Sequence, residues 1–446
     1  MGLTGLDIFK LTPRKNCKEC GFPTCMAFAM KVASGAVEIE KCPYISDEAK
    51  AKLSEATAPP MKTIKIGAGD NEKALGGETV LFRHEKTFVN RPLFAVQFDD
   101  QMADDELARK ADNIKKVDYE RIGEQMHAEL VAVKYTGNKD RYLEIVKQLK
   151  DLNKTFVLVC DDAAVAADAV ALVKETKPVL VGANADNLED MVKLAKDNGI
   201  VLGLSAAGIE DLYALTEKAQ GLDYKELVLN TTGENIAKTF EKTIEVRRTA
   251  LEGKDRTFGY PSIVFVNELA KGDAYMQTAL AATFILKYGS IIVLEDIEYA
   301  NALPLFALRQ NIYTDPQKPM RVEPKVYEFA NPDAESPVLL TVDFALTYFV
   351  VSGEIERAKV PAYLAVPDAG GLSVLTSWAA GKLGASVIRD MIKNSGLEEK
   401  LTRKRLVLPG KVAVLKGDVE EELPGWEIIV GPEEAMQIPK FLRELD

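Results

Sequence analysis

Short apolar runs rich in β-branched residues recur through the middle of the chain and alternate with longer polar segments. Many of these segments repeat apolar positions at helical spacing and carry charged faces, as in RYLEIVKQLKDLN and NLEDMVKLAKDNG. The runs that we interpret as strands are 94–98, 130–135, 155–160, 178–182, 200–205, 227–231, 262–266 and 290–296. Eight strand–helix units within residues 61–320 favour a (β/α)8 TIM-type barrel. An open doubly wound sheet is the alternative, because periodicity does not report closure.

A further α/β domain is predicted at residues 325–446, with a Rossmann-like fold, so the fold class of the chain is α/β. A proline-rich, irregular connection at 314–337 leads into it. The domain contains a strand at 362–366, an amphipathic helix over 373–395 and the closing strands RLVLPG and WEIIVGP. Before the barrel, the alternating segment GGETVLFRHEKTF at 76–88 predicts a hairpin over one end of it.

Residues 1–58 form a separate small domain in this interpretation. Its predicted helices cover 3–12, 24–34 and 47–56. The second helix is expected to end at Gly35, a residue suited to a left-handed cap. The two prolines at 59–60 form the linker to the barrel.

Composition and charge narrow the possible functions. Hydrophobic residues make up 47% and charged residues 28% of the chain, and the formal net charge is −12. The acidic balance argues against a nucleic-acid partner, because phosphate binding needs clustered Lys and Arg. The sequence has no apolar run long enough to span a bilayer and no secretory or transit pattern, so we expect a cytoplasmic protein without a membrane partner.

Four of the five cysteines follow the pattern C-x2-C-x4-C-x16-C, at Cys17, Cys20, Cys25 and Cys42. In a large cytoplasmic chain such clustering points to a metal rather than to disulfides. Four thiolates without a histidine suit a [4Fe–4S] cluster. A zinc site with four cysteine ligands is the alternative, but it usually shows two CxxC pairs and only one is present.

Other chemically distinctive residues carry weaker signals. Cys160 lies in the buried-strand pattern TFVLVCDD and is interpreted as a core residue, and the two histidines, His84 and His127, as structural. Polar residues at the predicted barrel strand ends are Asn184, Ser205, Asn230, Thr231, Asn267, Glu268, Glu295 and Asp296. Barrel enzymes place their sites there, but no catalytic pair stands out, so no catalytic residue is predicted.

The strand–turn–helix segment PAYLAVPDAGGLSVLTSWAAG is the candidate ligand site of the C-terminal domain. Gly370 and Gly371 permit close backbone approach to a ligand. Leu372 and Ser373 would supply N–H groups at a helix N-terminus, and Thr376 would add a hydroxyl. A glycine pair also occurs in turns that bind no ligand.

These parts together resemble one family. The chain is similar to the large (gamma) subunit of the corrinoid/iron–sulfur protein of the acetyl-CoA (Wood–Ljungdahl) pathway. The similarity lies in the opening LTGLDIFKLTPRKNCKECGFPTCMAFAMKVASG with its later CPY, in the barrel, and in the terminal PDAGGLSVLTSW. The resemblance implies a methyl carrier whose corrinoid cobalt cycles between Co(I) and methyl-Co(III), and whose cluster re-reduces Co(II). The implied partners are a small barrel subunit in a heterodimer, a methyltetrahydrofolate:corrinoid methyltransferase and acetyl-CoA synthase.

The resemblance also assigns the corrinoid (cobalamin) to the C-terminal domain. Strand-end placement there selects Thr341, Leu346, Thr347, Gly370, Gly371, Leu372, Ser373, Thr376, Gly431, Pro432 and Glu433. The chain has no D-x-H-x-x-G loop and no histidine after residue 127, so a base-off cofactor without a His ligand is implied. Two other functions stay open: a methyl-pterin-dependent methyltransferase with its site in the barrel, and a simple iron–sulfur electron-transfer protein.

Overall fold

The computed structural model describes residues 5–33, 37, 39–46, 59–316 and 319–445. The chain divides into two compact units. The first comprises 1–82, 88–119 and 126–313, and the second comprises 83–87, 120–125 and 314–446. The helix predicted over 47–56 and the helix end predicted at Gly35 lie outside the described residues.

Two short helices flank the cysteine loop at the start of the first unit. Helix α1 spans Gly5–Leu11 and α2 spans Cys25–Ala33, close to the predicted positions. The hydroxyl of Thr24 accepts a hydrogen bond from the N–H of Ala27 at 3.1 Å and caps α2. The two helices pack around a small apolar core that includes Ile8 and Phe28.

An antiparallel hairpin precedes the barrel, but not where the sequence predicts it. Its strands are β1 (Thr63–Ile66) and β2 (Lys73–Gly76), whereas residues 77–92 are irregular. The prediction at 76–88 is therefore wrong. Gly76 and Gly77 have φ of 74° and 73°, and this left-handed backbone ends β2 where the alternating pattern begins.

The hairpin lies at the amino-terminal end of the barrel strands. The N–H of Gly67 donates to the carbonyl of Lys177 at 3.0 Å, and that of Lys62 donates to Gly259 at 2.8 Å. Both acceptors lie shortly before barrel strands. A hairpin thus covers one end of the barrel, as expected, but a different segment forms it.

Eight parallel strands close into a barrel, which confirms the barrel over the open sheet. The barrel strands are β3 (Leu93–Asp99), β6 (Leu130–Lys134), β7 (Thr155–Val159), β8 (Val179–Ala183), β9 (Val201–Ser205), β10 (Leu227–Asn230), β11 (Ser262–Phe265) and β12 (Ile291–Leu294). Each pairs with the next, and β12 returns to β3 with Ile291 opposite Leu93. Strands β4 (Tyr119–Arg121) and β5 (Glu124–Met126) form a separate pair.

Helices follow the barrel strands on its outside. They are α3 (Asp104–Lys116), α4 (Lys139–Leu149), α5 (Ala163–Val173), α6 (Leu188–Asn198), α7 (Ile209–Gly221), α8 (Ile236–Leu251), α9 (Val266–Ala270), α10 (Ala274–Leu286) and α11 (Tyr299–Ile312). Apolar strand and helix residues form one continuous core. Cys160 lies in this core, as predicted, and burial raises the pKa of its thiol to about 12.

A buried ion pair joins the last barrel helix to the first strands. Arg309 of α11 donates to the carbonyl of Pro92 at 2.9 Å and to Glu129 Oε1 at 2.8 Å. The other oxygen of Glu129 accepts the N–H of Phe94 at 3.0 Å. The two side chains are only 6% and 9% exposed. Since α11 follows β12, the last barrel strand, and Pro92 directly precedes β3, the pair links the two ends of the barrel sequence.

The second unit contains a five-stranded sheet in the order β13-β15-β14-β16-β17, in which β13 is an antiparallel edge strand and the other four are parallel. Its strands are β13 (Val326–Phe329), β14 (Val338–Leu340), β15 (Ala362–Ala365), β16 (Arg405–Leu408) and β17 (Glu427–Val430). Its helices are α12 (Ala345–Ala358), α13 (Val374–Ala379), α14 (Ala385–Asn394), α15 (Leu397–Lys400), α16 (Lys416–Glu422) and α17 (Ile438–Arg443). No helix in the described part of the chain is long and apolar enough to span a membrane.

The helix predicted over 373–395 is interrupted. The structure forms α13 and α14 instead, with Gly381 at φ 67° and an extended Gly384 between them. These glycines break the backbone although the apolar spacing continues across them.

The sheet order reverses beside β14. The chain passes from β14 to β15 on one side and then to β16 on the other. In open α/β sheets, ligands bind outside the carboxyl ends of the strands at such a reversal. The loops that follow β14 and β16 are therefore the expected walls of a site.

We predict that Arg309→Leu lowers the free energy of unfolding of the first unit by about 3–5 kcal/mol, because it leaves the carboxylate of Glu129 buried without its cation. Urea unfolding followed by far-ultraviolet circular dichroism measures this. The control Arg248→Leu breaks an exposed 3.0 Å pair with Glu252 and should change stability by no more than about 0.5 kcal/mol. The double variant Arg309→Leu/Glu129→Gln should recover part of the loss. Equal effects at Arg309 and Arg248 would contradict the role of the buried pair.

Candidate functional site

The four predicted cluster cysteines lie on three segments: the loop between α1 and α2 carries Cys17 and Cys20, α2 begins with Cys25, and Cys42 follows a helical turn after α2. Cys20, Cys25 and Cys42 are buried, at 6%, 6% and 3% exposure, whereas Cys17 is half-buried. Cys20 and Cys42 pack in the apolar core of this region with Phe28. Three of the four predicted cluster ligands are therefore shielded from solvent, and Cys17 is the most exposed of them.

The loop backbone is shaped around these cysteines. Asn16, Lys18 and Gly21 have φ of 48°, 67° and 82°, so left-handed positions recur within the loop. The N–H of Asn16 donates to Cys25 Sγ at 3.4 Å, and the side-chain oxygen of Asn16 accepts the N–H of Cys25 at 2.8 Å. N–H donors directed at thiolates are a feature of iron–sulfur sites, where they tune the cluster. Within the described residues, no three His, Cys, Asp or Glu side chains are grouped as ligands of a single metal ion.

Most polar strand ends of the barrel are engaged with one another or with neighbouring cations, whereas the buried side-chain oxygen of Asn267 has no hydrogen-bond partner in the described residues. Glu268 pairs with Lys134 at 2.6 Å, Glu295 with Lys110 at 2.8 Å, and Asp296 with Arg109 at 2.5 Å. Other side-chain hydrogen bonds join Asn230 to Ser205, Thr231 to Thr243, and Asn184 to Asn187. Each of these three carboxylates is thus already paired with a cation.

A cavity of about 340 Å³ opens at the carboxyl ends of β14, β16 and β17. Predicted corrinoid-site residues that line it are Thr341, Leu346, Thr347, Ser373, Gly431, Pro432 and Glu433. Strand residues Leu339, Val407 and Leu408 also line it, with Lys411 and Glu434. The walls are therefore mainly aliphatic with a few polar groups, as in sites that bind small molecules and cofactors.

Thr341 contributes an unusual polar atom to this cavity. Its side chain is 1% exposed, and its hydroxyl oxygen has no hydrogen-bond partner in the described residues. Its own N–H continues the sheet by donating to the carbonyl of Ala365 at 3.1 Å. A buried hydroxyl without a partner costs free energy, so a ligand that hydrogen-bonds to Thr341 would be stabilised here.

Two glycines bring the last wall of the cavity into position. A Cβ on Gly410 would lie 2.7 Å from both the nitrogen of Glu433 and the oxygen of Gly431. The loops that follow β16 and β17 therefore touch through their backbones. Gly431 donates to Leu408 at 2.8 Å, and Gly410 donates to Pro432 at 3.1 Å.

The glycine turn after β15 does not line the cavity. The N–H of Gly371 donates to both oxygens of Asp343, at 3.0 and 3.1 Å, and that of Gly370 donates to Asp368 at 3.0 Å. These N–H groups are therefore already used inside the protein. Leu372 and Thr376 are also outside the lining residues, and Thr376 bonds to the hydroxyl of Ser373 at 2.8 Å.

Asp343 is the residue that organises this turn, and it is not among the residues predicted from the sequence. It is fully buried in the loop that follows β14 and also accepts the N–H of Ala369 at 3.0 Å, and the guanidinium of Arg321 lies 3.7 Å from its carboxylate. Its sequence signal was an acidic residue inside the apolar stretch VLLTVDFALTYF. Neither histidine lines the cavity. His127 is in the first unit, where burial lowers its pKa.

Comparisons with known proteins agree along the chain. The family model of the CO dehydrogenase/acetyl-CoA synthase delta subunit matches residues 63–442, and a model of an Fe–S cluster motif matches 13–44. The chain is 40% identical to the corrinoid/iron–sulfur protein large subunit of Moorella thermoacetica over 99% of each chain. It is 36% identical to the gamma subunit of the acetyl-CoA decarbonylase/synthase complex of Methanopyrus kandleri, over 99% of this chain and 98% of that one.

Among solved structures, a dihydropteroate synthase from Thermus thermophilus aligns with a TM-score of 0.39 at 15% identity, over 56% of this chain and 99% of that one.

We predict that Asp343→Ala lowers the free energy of unfolding of the second unit by about 3 kcal/mol, because it leaves buried N–H groups without acceptors. Asp343→Asn should cost less, since the amide oxygen still accepts. Both tryptophans, Trp378 and Trp426, belong to this unit, so their fluorescence in urea reports its unfolding. Asp368→Ala is the control, because that side chain is 65% exposed. If Asp343→Ala and Asp368→Ala have equal small effects, Asp343 does not organise the turn.

Proposed function

Since the chain belongs to the family of corrinoid/iron–sulfur protein large subunits and acetyl-CoA decarbonylase/synthase gamma subunits, we propose that it is the corrinoid-bearing methyl carrier of the acetyl-CoA pathway. It would accept methyl groups from methyltetrahydrofolate through a separate methyltransferase and deliver them to acetyl-CoA synthase. The observation that carries this proposal is the unpartnered Thr341 hydroxyl in an aliphatic cavity at the reversal of the sheet.

The cavity residues fit a corrinoid by their chemistry. Leu339, Val407 and Leu408 offer an apolar wall to the face of the macrocycle, and the hydroxyl of Thr341 can donate to a peripheral carbonyl group. When bound, the corrinoid supplies a cobalt that carries the methyl group. The residues of this chain bind and orient the ring, and they exclude water from one of its faces.

The side chains that line the cavity also indicate whether this chain could supply an axial ligand to the cobalt. The predicted C-terminal domain has no histidine, and neither His84 nor His127 lines the cavity. We infer that the corrinoid is bound base-off without a histidine ligand. A cobalt without a strong axial donor is easier to reduce, which suits repeated use as a methyl acceptor.

The four cysteines suit a [4Fe–4S] cluster that returns the cobalt to its active reduced form. The donor set consists of four thiolates, and the N–H of Asn16 bonds to one of them. Cys17, Cys20, Cys25 and Cys42 would hold the cluster, and the apolar packing around Phe28 would limit its contact with water. In this proposal the cluster transfers electrons and does not handle the methyl group.

A protein partner is expected to cover the cavity. Leu346, Val350 and Leu375 line it and are still 65%, 50% and 47% exposed. Apolar side chains at the edge of a ligand site often mark a further interface. We infer that the small barrel subunit of a heterodimer covers this edge, so that the corrinoid is enclosed from both sides.

We predict that Thr341→Val weakens corrinoid binding on the order of tenfold, because the ligand loses one hydrogen bond, without destabilising the second unit. Valine has the same shape and removes a buried group that has no partner, so stability should be unchanged or raised by about 1 kcal/mol. Affinity is measured by visible-absorbance titration of the corrinoid-free chain with cobinamide, and stability by tryptophan fluorescence in urea. Thr376→Val, outside the cavity, is the control. Unchanged affinity at Thr341→Val would place the corrinoid elsewhere.

We predict that Cys20→Ala removes the iron–sulfur cluster but leaves the corrinoid bound. In anaerobically purified protein, iron content and the cluster EPR signal should be lost, while the base-off Co(II) signal remains. Reduction of the cobalt by an electron-donor protein should fail, whereas cobalt reduced chemically should still accept a methyl group. Cys160→Ala, at the buried cysteine of the barrel, should retain the cluster. Zinc in the unmodified chain, or equal loss of both steps, would overturn the division of roles.

A further inference from the structure

The cysteine region differs in charge from the rest of the chain. Residues 1–46 contain six Lys or Arg and four Asp or Glu, a formal charge of +2, whereas the whole chain carries −12. The remaining residues therefore carry −14. The thiolates of a bound cluster would offset this positive charge, so the loaded region is much less negative than the rest of the chain, and that contrast creates a directional field for charged partners.

The positive side chains are concentrated where the thiols are most open. Cys17 is the half-buried member of the four, and the other three are buried. Arg14, Lys15 and Lys18 are exposed cations within three residues of Cys17 in the sequence, and Lys41 is an exposed cation that directly precedes Cys42. We call these four residues the basic rim.

Tyr44 joins the two segments that carry the rim. The ammonium of Lys15 lies 4.5 Å from the centre of the Tyr44 ring, and the Tyr44 hydroxyl donates to Glu19 at 2.9 Å. Residues 14–19 and 41–44 thus lie side by side. Glu19 is the acidic residue of the first segment, so the rim keeps an excess of positive charge around Cys17.

We propose that the basic rim is the docking surface for an acidic redox protein that carries a low-potential one-electron centre. This inference rests on the proposed iron–sulfur cluster. In the electron transfer, the donor is oxidised by one electron and the cluster is reduced by one electron through the edge at Cys17. No bond is formed or broken, and no proton is required.

Charge complementarity selects this class of donor. An acidic donor is repelled by most of the chain, which carries −14, and attracted by the rim. The donor is repelled by the acidic surface and attracted by the basic rim, so it is oriented as it approaches. It therefore arrives near Cys17, the most exposed of the four thiols. Cys20 and Cys42 pack in the apolar core and Cys25 is also buried, so these three thiols are less accessible to a donor than Cys17.

The test compares reduction rates of the cluster in the holoprotein by stopped-flow absorbance. The donor is a reduced bacterial ferredoxin of strongly negative net charge. The variant Lys15→Glu/Lys18→Glu is compared with Lys147→Glu/Lys193→Glu, which makes the same change in net charge at exposed positions of the barrel helices. At low ionic strength the rim variant should react on the order of tenfold more slowly, and the barrel variant less than about twofold more slowly.

Salt and a small cationic reductant provide independent measurements. The difference between the variants should shrink between about 0.01 M and 1 M salt, as the Debye length falls from about 30 to 3 Å. Reduced methyl viologen, a cation, should not be slowed by the rim variant. Lys15→Gln/Lys18→Gln should give an intermediate rate with ferredoxin. Iron content and midpoint potential are measured for every variant, so that loss of the cluster is recognised.

Two failures are distinguishable. If the unmodified chain binds no iron–sulfur cluster, the proposed function itself fails. If the cluster is present with an unchanged potential and ferredoxin reduces the rim and barrel variants at equal rates, only the docking proposal is overturned. Equal slowing by both charge reversals would assign the effect to net charge rather than to the rim.

Discussion

Parallel strand pairing is the constraint on which both units depend. A parallel strand needs a long crossover, usually a helix, before the next strand begins, so the carboxyl ends of successive strands meet at one edge. In the first unit this edge closes into a ring, and the buried pair of Arg309 and Glu129 lies at the opposite, amino-terminal end of the strands. In the second unit the sheet stays open, and the edge is interrupted by the reversal beside β14.

The same topology gives the two edges different chemistry. At the barrel edge, lysines and arginines neutralise Glu268, Glu295 and Asp296. At the sheet edge, aliphatic side chains surround an unpartnered hydroxyl at Thr341. Paired charges favour a closed polar surface, whereas a hydroxyl without a partner favours a bound group. The cofactor is therefore proposed for the second unit, although barrels more often carry sites at this end.

Local patterns in the sequence predicted the strands of the barrel to within about two residues, because β-branched runs and helical spacing are local signals. They misplaced the hairpin, since alternation over 76–88 does not show that Gly76 and Gly77 end the preceding strand. In the second unit, strand-end reasoning selected Thr341 and residues 431–433, which line the cavity. It missed Leu339 and Val407, because an aliphatic cavity wall has the same pattern as a core strand. It also expected the backbone of Gly370 and Gly371 to approach a ligand, whereas the N–H of Gly371 donates to Asp343 and neither glycine lines the cavity.

The surroundings of the four cysteines place opposite demands on a cluster. Burial among apolar side chains disfavours added negative charge and lowers the reduction potential, whereas nearby cations raise it. Cations that acted mainly on the potential would weaken the cluster as a reductant and oppose its proposed role. The cations of the basic rim are exposed, so water screens their effect on the resting cluster. They still act on an approaching charged protein over a Debye length. The burial of Cys20, Cys25 and Cys42 can therefore set the reduction potential of the cluster, while the basic rim around Cys17 sets the rate at which a donor protein delivers electrons.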